Sequence, residues 1–280
     1  YLCTCYFFFP IFCIAKSFII IIDAIIDRYD TPERELAIRH IEKLKEYGLQ
    51  NDLVLFDRGY PSKEFIATLI ENDIKFVMRV SKSFIKEVNN TKGEDETVTF
   101  RYNGKSYTIR VIKFALDETT QETLITTLYD ESFTVDDFKE LYFKRWGAEI
   151  KFNELKQRLQ LENFDGIKEV VIKQDFYATI FLANMAALAK MQSDEEIQNK
   201  NKGKELKYEY KTNVNIMLGK LKDKLILIMI EKSPWKRARM YRELLCEISM
   251  NSIPIRPNRQ NPRRFKHYRD RYPMNARRGL

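Results

Sequence analysis

Four side chains with complementary chemistry recur at fixed steps in the run YFKRWGAEIKFNELK. They are Tyr142, Arg145, Glu149 and Lys156, spaced Y-x2-R-x3-E-x6-K. On a helix turning about 100° per residue, with Tyr142 at zero, the other three fall near −60°, −20° and −40°. A phenol, two cations and a carboxylate thus share a stripe about 60° wide. Leu141, Ala148, Phe152, Leu155 and Leu159 border it on one side, and Trp146, Ile150 and Phe143 on the other. A solvated face of ion pairs has more polar borders. The stripe reads as the floor of a groove in which cations can meet an anionic ligand and the carboxylate can hold a hard metal ion. Salt-bridge support on an exposed helix is the alternative reading of the same spacing.

A second acidic position stands upstream. Asn51–Tyr60 is an apolar run that ends in Asp57 and passes through Arg58 and Gly59 into Tyr60 and Pro61. A short Val/Leu run between turn signals reads as a buried strand. Side chains at the carboxyl ends of such strands line the ligand crevice of open α/β sheets. Alternatively, Asp57 ends a strand and accepts hydrogen bonds from its turn.

Together the two positions resemble the DDE transposases of bacterial insertion sequences, specifically the insertion-sequence-four group. Asp57-Arg58-Gly59-Tyr60 is similar to the block around that group's second catalytic aspartate. Tyr142, Arg145, Glu149 and Lys156 match its Y-R-E-K signature, with Glu149 as the catalytic glutamate. Thr31–Ala37 is similar to the helix start that precedes the aspartate block, and Pro254–Pro257 and Tyr272–Asn275 to the closing segments.

The resemblance implies an RNase H-like α/β sheet flanked by helices and a DNA-cleaving, strand-transferring enzyme. It implies two Mg²⁺ ions, replaceable by Mn²⁺, held by Asp57 and Glu149. Tyr142, Arg145 and Lys156 then contact the DNA end, and the partners are double-stranded transposon-end and target DNA, with a homodimer in a synaptic complex. Two-metal phosphoryl transfer needs ions about 3.5–4 Å apart, so the Asp57 and Glu149 carboxylates are expected within about 8 Å of each other.

One departure from the pattern stands out. A DDE site has a first aspartate on the first strand of the sheet, well upstream of the second. Only Asp23, Asp27 and Asp30 are acidic before Thr31. The strand that carries Asp23 resembles a later, non-catalytic one, and residues 1–17 match nothing expected upstream of it. The expectation is a copy truncated at its N-terminus and catalytically impaired. A non-catalytic transposon-end binder that inhibits the intact enzyme is the alternative.

Composition bears on the remaining classes. The uncharged stretch before Lys16 is short for a membrane span of about 20 residues and is interrupted by Pro10. Cys3, Cys5 and Cys13 have no histidine or fourth ligand nearby, which argues against zinc, and only Cys246 lies elsewhere, in keeping with a reducing compartment. A cytoplasmic, nucleoid-associated protein without a membrane partner is expected. Asn251–Leu280 holds nine cations against the single Asp270, a surplus equal to the net +8 of the whole chain. Among them Arg263, Arg264 and Lys266 interleave with Phe265, His267 and Tyr268, a pattern suited to phosphate contact with stacking.

The elements that position these groups follow from periodicity. Strands are expected at Phe18–Ile26, Leu53–Asp57 and Ile74–Val80, with helices over Pro32–Tyr47 and Ser62–Glu71. Three β segments, Thr97–Tyr102, Ser106–Phe114 and Glu122–Thr127, include a hairpin turn at Asn103-Gly104. A helix from Asp136 carries the Y-R-E-K stripe. Phe176–Leu188, apolar nearly all round, reads as a central helix, Asp194–Lys207 as a loop, and Asn213–Glu231 and Trp235–Glu247 as helices. The resulting division is an aberrant apolar segment at 1–17, a first part of the core at 18–80 and a β-rich insertion at 81–135. The second part of the core, with the glutamate helix, follows at 136–192, then helices at 193–250 and a basic DNA-contacting tail at 251–280.

Overall fold

A computed structural model of the 280-residue chain describes residues 6–14, 19–28, 30–46, 53–81, 83–116, 120–166 and 168–256. The Arg263, Arg264 and Lys266 of the basic tail lie outside the described residues. The chain forms two compact units whose boundary falls between Glu149 and Ile150, with parts of the N-terminal segment divided between them.

The first unit is built on a five-stranded mixed sheet. Its strands, after the N-terminal β1 (Tyr6–Ile14) and β2 (Ile19–Arg28), are β3 (Leu53–Phe56), β4 (Lys75–Val80), β5 (Asp95–Tyr102), β6 (Lys105–Ala115) and β7 (Gln121–Thr126), in the order β3-β4-β7-β6-β5. β3 and β4 run parallel, joined through helix α2 (Lys63–Glu71), and every other pairing is antiparallel. Ser62 caps α2 by accepting a hydrogen bond from the Phe65 amide at 3.0 Å, so the helix starts one residue after the expected Ser62. Asn103 and Gly104 take φ of 46° and 77°, the left-handed pair that a two-residue hairpin between β5 and β6 demands.

Alternation along the strands makes two cores. Phe76, Met78 and Val80 of β4 face a layer with Phe65, Ile66 and Leu69 of α2. Val77, with Ile112, Phe114 and Leu124, faces Phe138 and Tyr142 of helix α4 (Val135–Gln157). Period two therefore puts Arg79 of β4 and Glu122 of β7 on the side of the sheet that α4 covers. Helix α1 (Glu33–Glu46) and the short α3 (Lys86–Asn89) complete this unit.

The structure bears on several of the sequence expectations. The stretch expected as an insertion, 81–135, contributes β5, β6 and β7 to the same sheet as β4: the β4–β7 ladder runs from Val77↔Thr126 to Val80↔Thr123. Asp194–Lys207 is not all loop, because α5 (Glu169–Asn201) continues through Asn201. Lys190 pairs with Asp194 at 2.6 Å and Glu196 with Lys200 at 3.7 Å, both at i,i+4, and Ser193 and Ile197 are buried, so tertiary contact carries the helix through a polar sequence. The apolar Phe176–Leu188 lies within α5, where Phe176, Ile180, Ala183 and Ala187 form its buried stripe, while Tyr177 and Phe181 are exposed. The segment expected to be aberrant includes β1, which pairs with β2 as a two-stranded sheet.

In the second unit α5 packs with α6 (Val214–Ile230), α7 (Pro234–Ser249) and the small pair β8 (Tyr210–Thr212) and β9 (Ser252–Pro254). Asn184 of α5 exchanges two hydrogen bonds with the Ile21 backbone, at 2.9 and 2.8 Å. Among the described residues, no helix is long and apolar enough to cross a membrane.

Candidate active site

Strand β3 ends at Phe56, so Asp57 is the first residue beyond it, at the carboxyl end of the strand. The following turn is closed by the Tyr60 amide on the Asp57 carbonyl, at 3.2 Å. Arg34 of α1 braces that turn by donating to the Tyr60 and Pro61 carbonyls at 3.1 and 3.3 Å. Tyr60 packs against Phe56 and Phe65, with ring centroids 5.5 and 6.2 Å away. Burial, then the nearby Glu33 carboxylate, drives its phenol pKa far upward and keeps it protonated.

Helix α4 brings three of its four stripe residues to Asp57. Arg145 Nη1 donates to Glu149 Oε1 at 2.6 Å and stands 3.5 Å from Asp57 Oδ2. The two carboxylate oxygens can therefore be no more than 6.1 Å apart, the sum of those distances. That separation suits carboxylates sharing one metal cluster. The Arg145 guanidinium lies over the Tyr142 ring, 5.0 Å from its centroid, and both residues are buried, at 9% and 3% exposure. Burial works against the Arg145 charge, but Glu149, Tyr142 and Asp57 around it raise its pKa overall. Tyr142 is raised too, chiefly by burial. The fourth stripe residue, Lys156, belongs to the second unit. It pairs with Glu162 at 2.7 Å and lies 4.5 Å from the Phe152 ring centroid.

Two participants escaped the sequence reading. Arg79 Nη1 approaches Asp57 Oδ1 at 3.9 Å, and its Nε and Nη2 fork onto the carboxylate of Glu122, which is 2% exposed. The available signal was a charged residue inside the apolar run that follows Lys75, Arg79 between Met78 and Val80. Such a residue is buried only with a partner, and its partner sits on the neighbouring strand where sequence order cannot show it.

The three early aspartates are committed elsewhere. Asp23 accepts from the buried His40 at 2.7 Å and from Lys43 at 3.2 Å. Asp27 pairs with Arg39 at 2.5 Å and Asp30 with Arg28 at 3.6 Å. Among the described residues, no group of three or more His, Cys, Asp or Glu is placed to hold a metal ion. The Asp57–Glu149 pair does have the right donors for one oxygen-seeking cation. Asp57 Oδ1 is buried with no hydrogen-bond partner, a condition that costs stability unless a ligand satisfies it. In number, two carboxylates fall short of what a pair of divalent ions needs.

A mixed sheet flanked by helices, with acidic residues gathered where β3 ends, defines an RNase H-like α/β architecture of the DDE type. Residues 13–185 match the family described as transposase DDE domain, and the chain belongs to that family. Membership implies an enzyme of the polynucleotidyl-transferase kind, connected with DNA transposition. No curated protein matches the chain.

Proposed function

We propose that the chain is an insertion-sequence transposase of the insertion-sequence-four type, whose Asp57, Tyr142, Arg145 and Glu149 act at the cut end of double-stranded DNA. The observation that carries this reading is the convergence of Asp57 and Glu149 on the single Arg145 nitrogen, at 3.5 and 2.6 Å. Asp57 and Glu149 would hold Mg²⁺, or Mn²⁺ in its place, and a bound ion would supply charge stabilisation at the attacking and leaving phosphodiester oxygens. Arg145 supplies a planar fork for a non-bridging phosphate oxygen pair. Its present engagement with both carboxylates keeps it in the groove, neutralised, until a phosphate competes for it. Tyr142 backs the guanidinium from below, and Lys156 adds a cation further along α4. Arg263, Arg264 and Lys266 provide sequence-independent hold on duplex DNA, whether or not two copies meet in a synaptic complex.

The carboxylates within these 280 residues would by themselves support cleavage poorly. Two carboxylates cannot hold two divalent ions side by side against their mutual repulsion, and Asp23, Asp27 and Asp30 already have cationic or imidazole partners. The chain then occupies transposon ends without cutting, and so competes with any intact enzyme.

The test is incubation of the 280-residue chain with labelled transposon-end duplex in Mg²⁺ or Mn²⁺, scored for retarded complex and for nicking. The expected result is an end-specific complex and no nick. End-specific nicking abolished by Glu149→Gln would contradict the impairment and leave the transposase assignment standing. Indifference between end and random duplex would contradict the end-binding role.

A further inference from the structure

Asp57 Oδ1 has an unusual environment for a buried carboxylate oxygen. A guanidinium stands beside it, yet Arg79 Nη1 remains 3.9 Å away, beyond hydrogen-bond range. The reason lies on the other side of Arg79. Its Nε donates to Glu122 Oε2 at 2.5 Å and its Nη2 to Glu122 Oε1, so both ends of that fork are committed. Glu122 is buried on β7, in register next to the β4 segment that carries Arg79. Asp57 Oδ1 is left without a hydrogen bond as a consequence.

The charges around this point are Glu122, Arg79, Asp57, Arg145 and Glu149, and the Tyr142 phenol feels both arginines. Three carboxylates against two guanidinium groups leave one net negative charge. Neutralising Glu122 brings the cluster to zero. It also releases Arg79, which then has Asp57, 3.9 Å away, as its neighbouring carboxylate.

We propose that Glu122 is a positioning residue that holds Arg79 back from Asp57, and so keeps Asp57 Oδ1 open to a divalent cation. The proposal rests on the reading of Asp57 and Glu149 as the metal-binding carboxylates. Glu122 itself touches neither ion nor DNA. It acts through Arg79, by geometry and by charge.

The experiment is a titration of the full chain with Mn²⁺, read as the loss of the free-ion electron paramagnetic resonance signal, with circular dichroism to confirm folding. Wild type is expected to bind Mn²⁺ in a manner that Asp57→Asn removes. Glu122→Gln, nearly isosteric, is expected to weaken binding by about 10-fold or more, the scale on which supporting partners affect metal affinity. Adding Arg79→Met to Glu122→Gln removes the released cation and is expected to return affinity to the wild-type value. A purely structural role for Glu122 would lower the melting temperature without this pattern. Unchanged Mn²⁺ affinity in Glu122→Gln, with Asp57→Asn still disruptive, would overturn the proposal and leave the metal-site reading intact. Binding absent from wild type, or indifferent to Asp57→Asn, would overturn both. If Glu122→Gln alone does not fold, the double variant decides: wild-type affinity upholds the proposal and weak binding overturns it.

Discussion

Arg110→Ala is expected to destabilise the sheet-bearing unit by about 3 kcal/mol, the low end for breaking a buried ion pair because Asp95 keeps a third of its surface exposed. Arg110 stands on β6 with 6% exposure. Its Nε and Nη2 hold Asp95 at 2.8 and 2.5 Å, and the same guanidinium reaches the carbonyls of Leu128, Asp130 and Phe133 at 3.2, 2.8 and 2.8 Å. It also lies 5.2 Å from the centroid of Phe138 at the start of α4. One side chain thus ties the edge hairpin to the connection that launches the helix bearing Tyr142, Arg145 and Glu149. Alanine would leave those carbonyls and a carboxylate without their donor. Chemical denaturation measures the effect, and a loss under about 1 kcal/mol, as for an exposed pair, would contradict it.

The second large effect separates two kinds of DNA contact. Deleting Pro257–Leu280 removes eight cations while keeping β9, which pairs with β8. Affinity for end and random duplex should fall together, and the slope of log K against log salt should flatten by up to about 7, at about 0.9 per phosphate neutralised. Arg145→Ala should change that slope by only about 1 and weaken end DNA more than random duplex. Fluorescence anisotropy across a salt series reads both. Equal losses on the two DNAs for Arg145→Ala would make the α4 stripe a generic basic surface.

Much of the scaffold was legible because local signals and tertiary demands agree. Leu53–Phe56 is bounded by a turn, Ser62 caps the next helix, and Asn103-Gly104 dictates its hairpin, so these elements stand where periodicity put them. Which strands pair was not legible. Whether β7 joins β4 or closes a separate insertion depends on contacts about fifty residues apart in sequence, such as Phe76 with Thr127. The end of α5 was misread because its polar residues lack periodicity, although i,i+4 ion pairs and the buried Ile197 support it. In the site, spacing on one helix exposed Tyr142, Arg145 and Glu149 together. Arg79 and Glu122 meet across a sheet ladder, and no single stretch of sequence contains both.

If Asp57 and Glu149 form one cation site, affinity cleavage locates the ion beside both. Fe²⁺ placed on the protein with ascorbate and peroxide generates hydroxyl radicals that cut the backbone beside the bound ion, and the fragments map its position. Cuts are expected to cluster near residues 57 and 149, to be suppressed by excess Mg²⁺ and to be absent from Asp57→Asn. Cuts clustered instead around Asp23 and His40, or a pattern unchanged by Asp57→Asn, would contradict it.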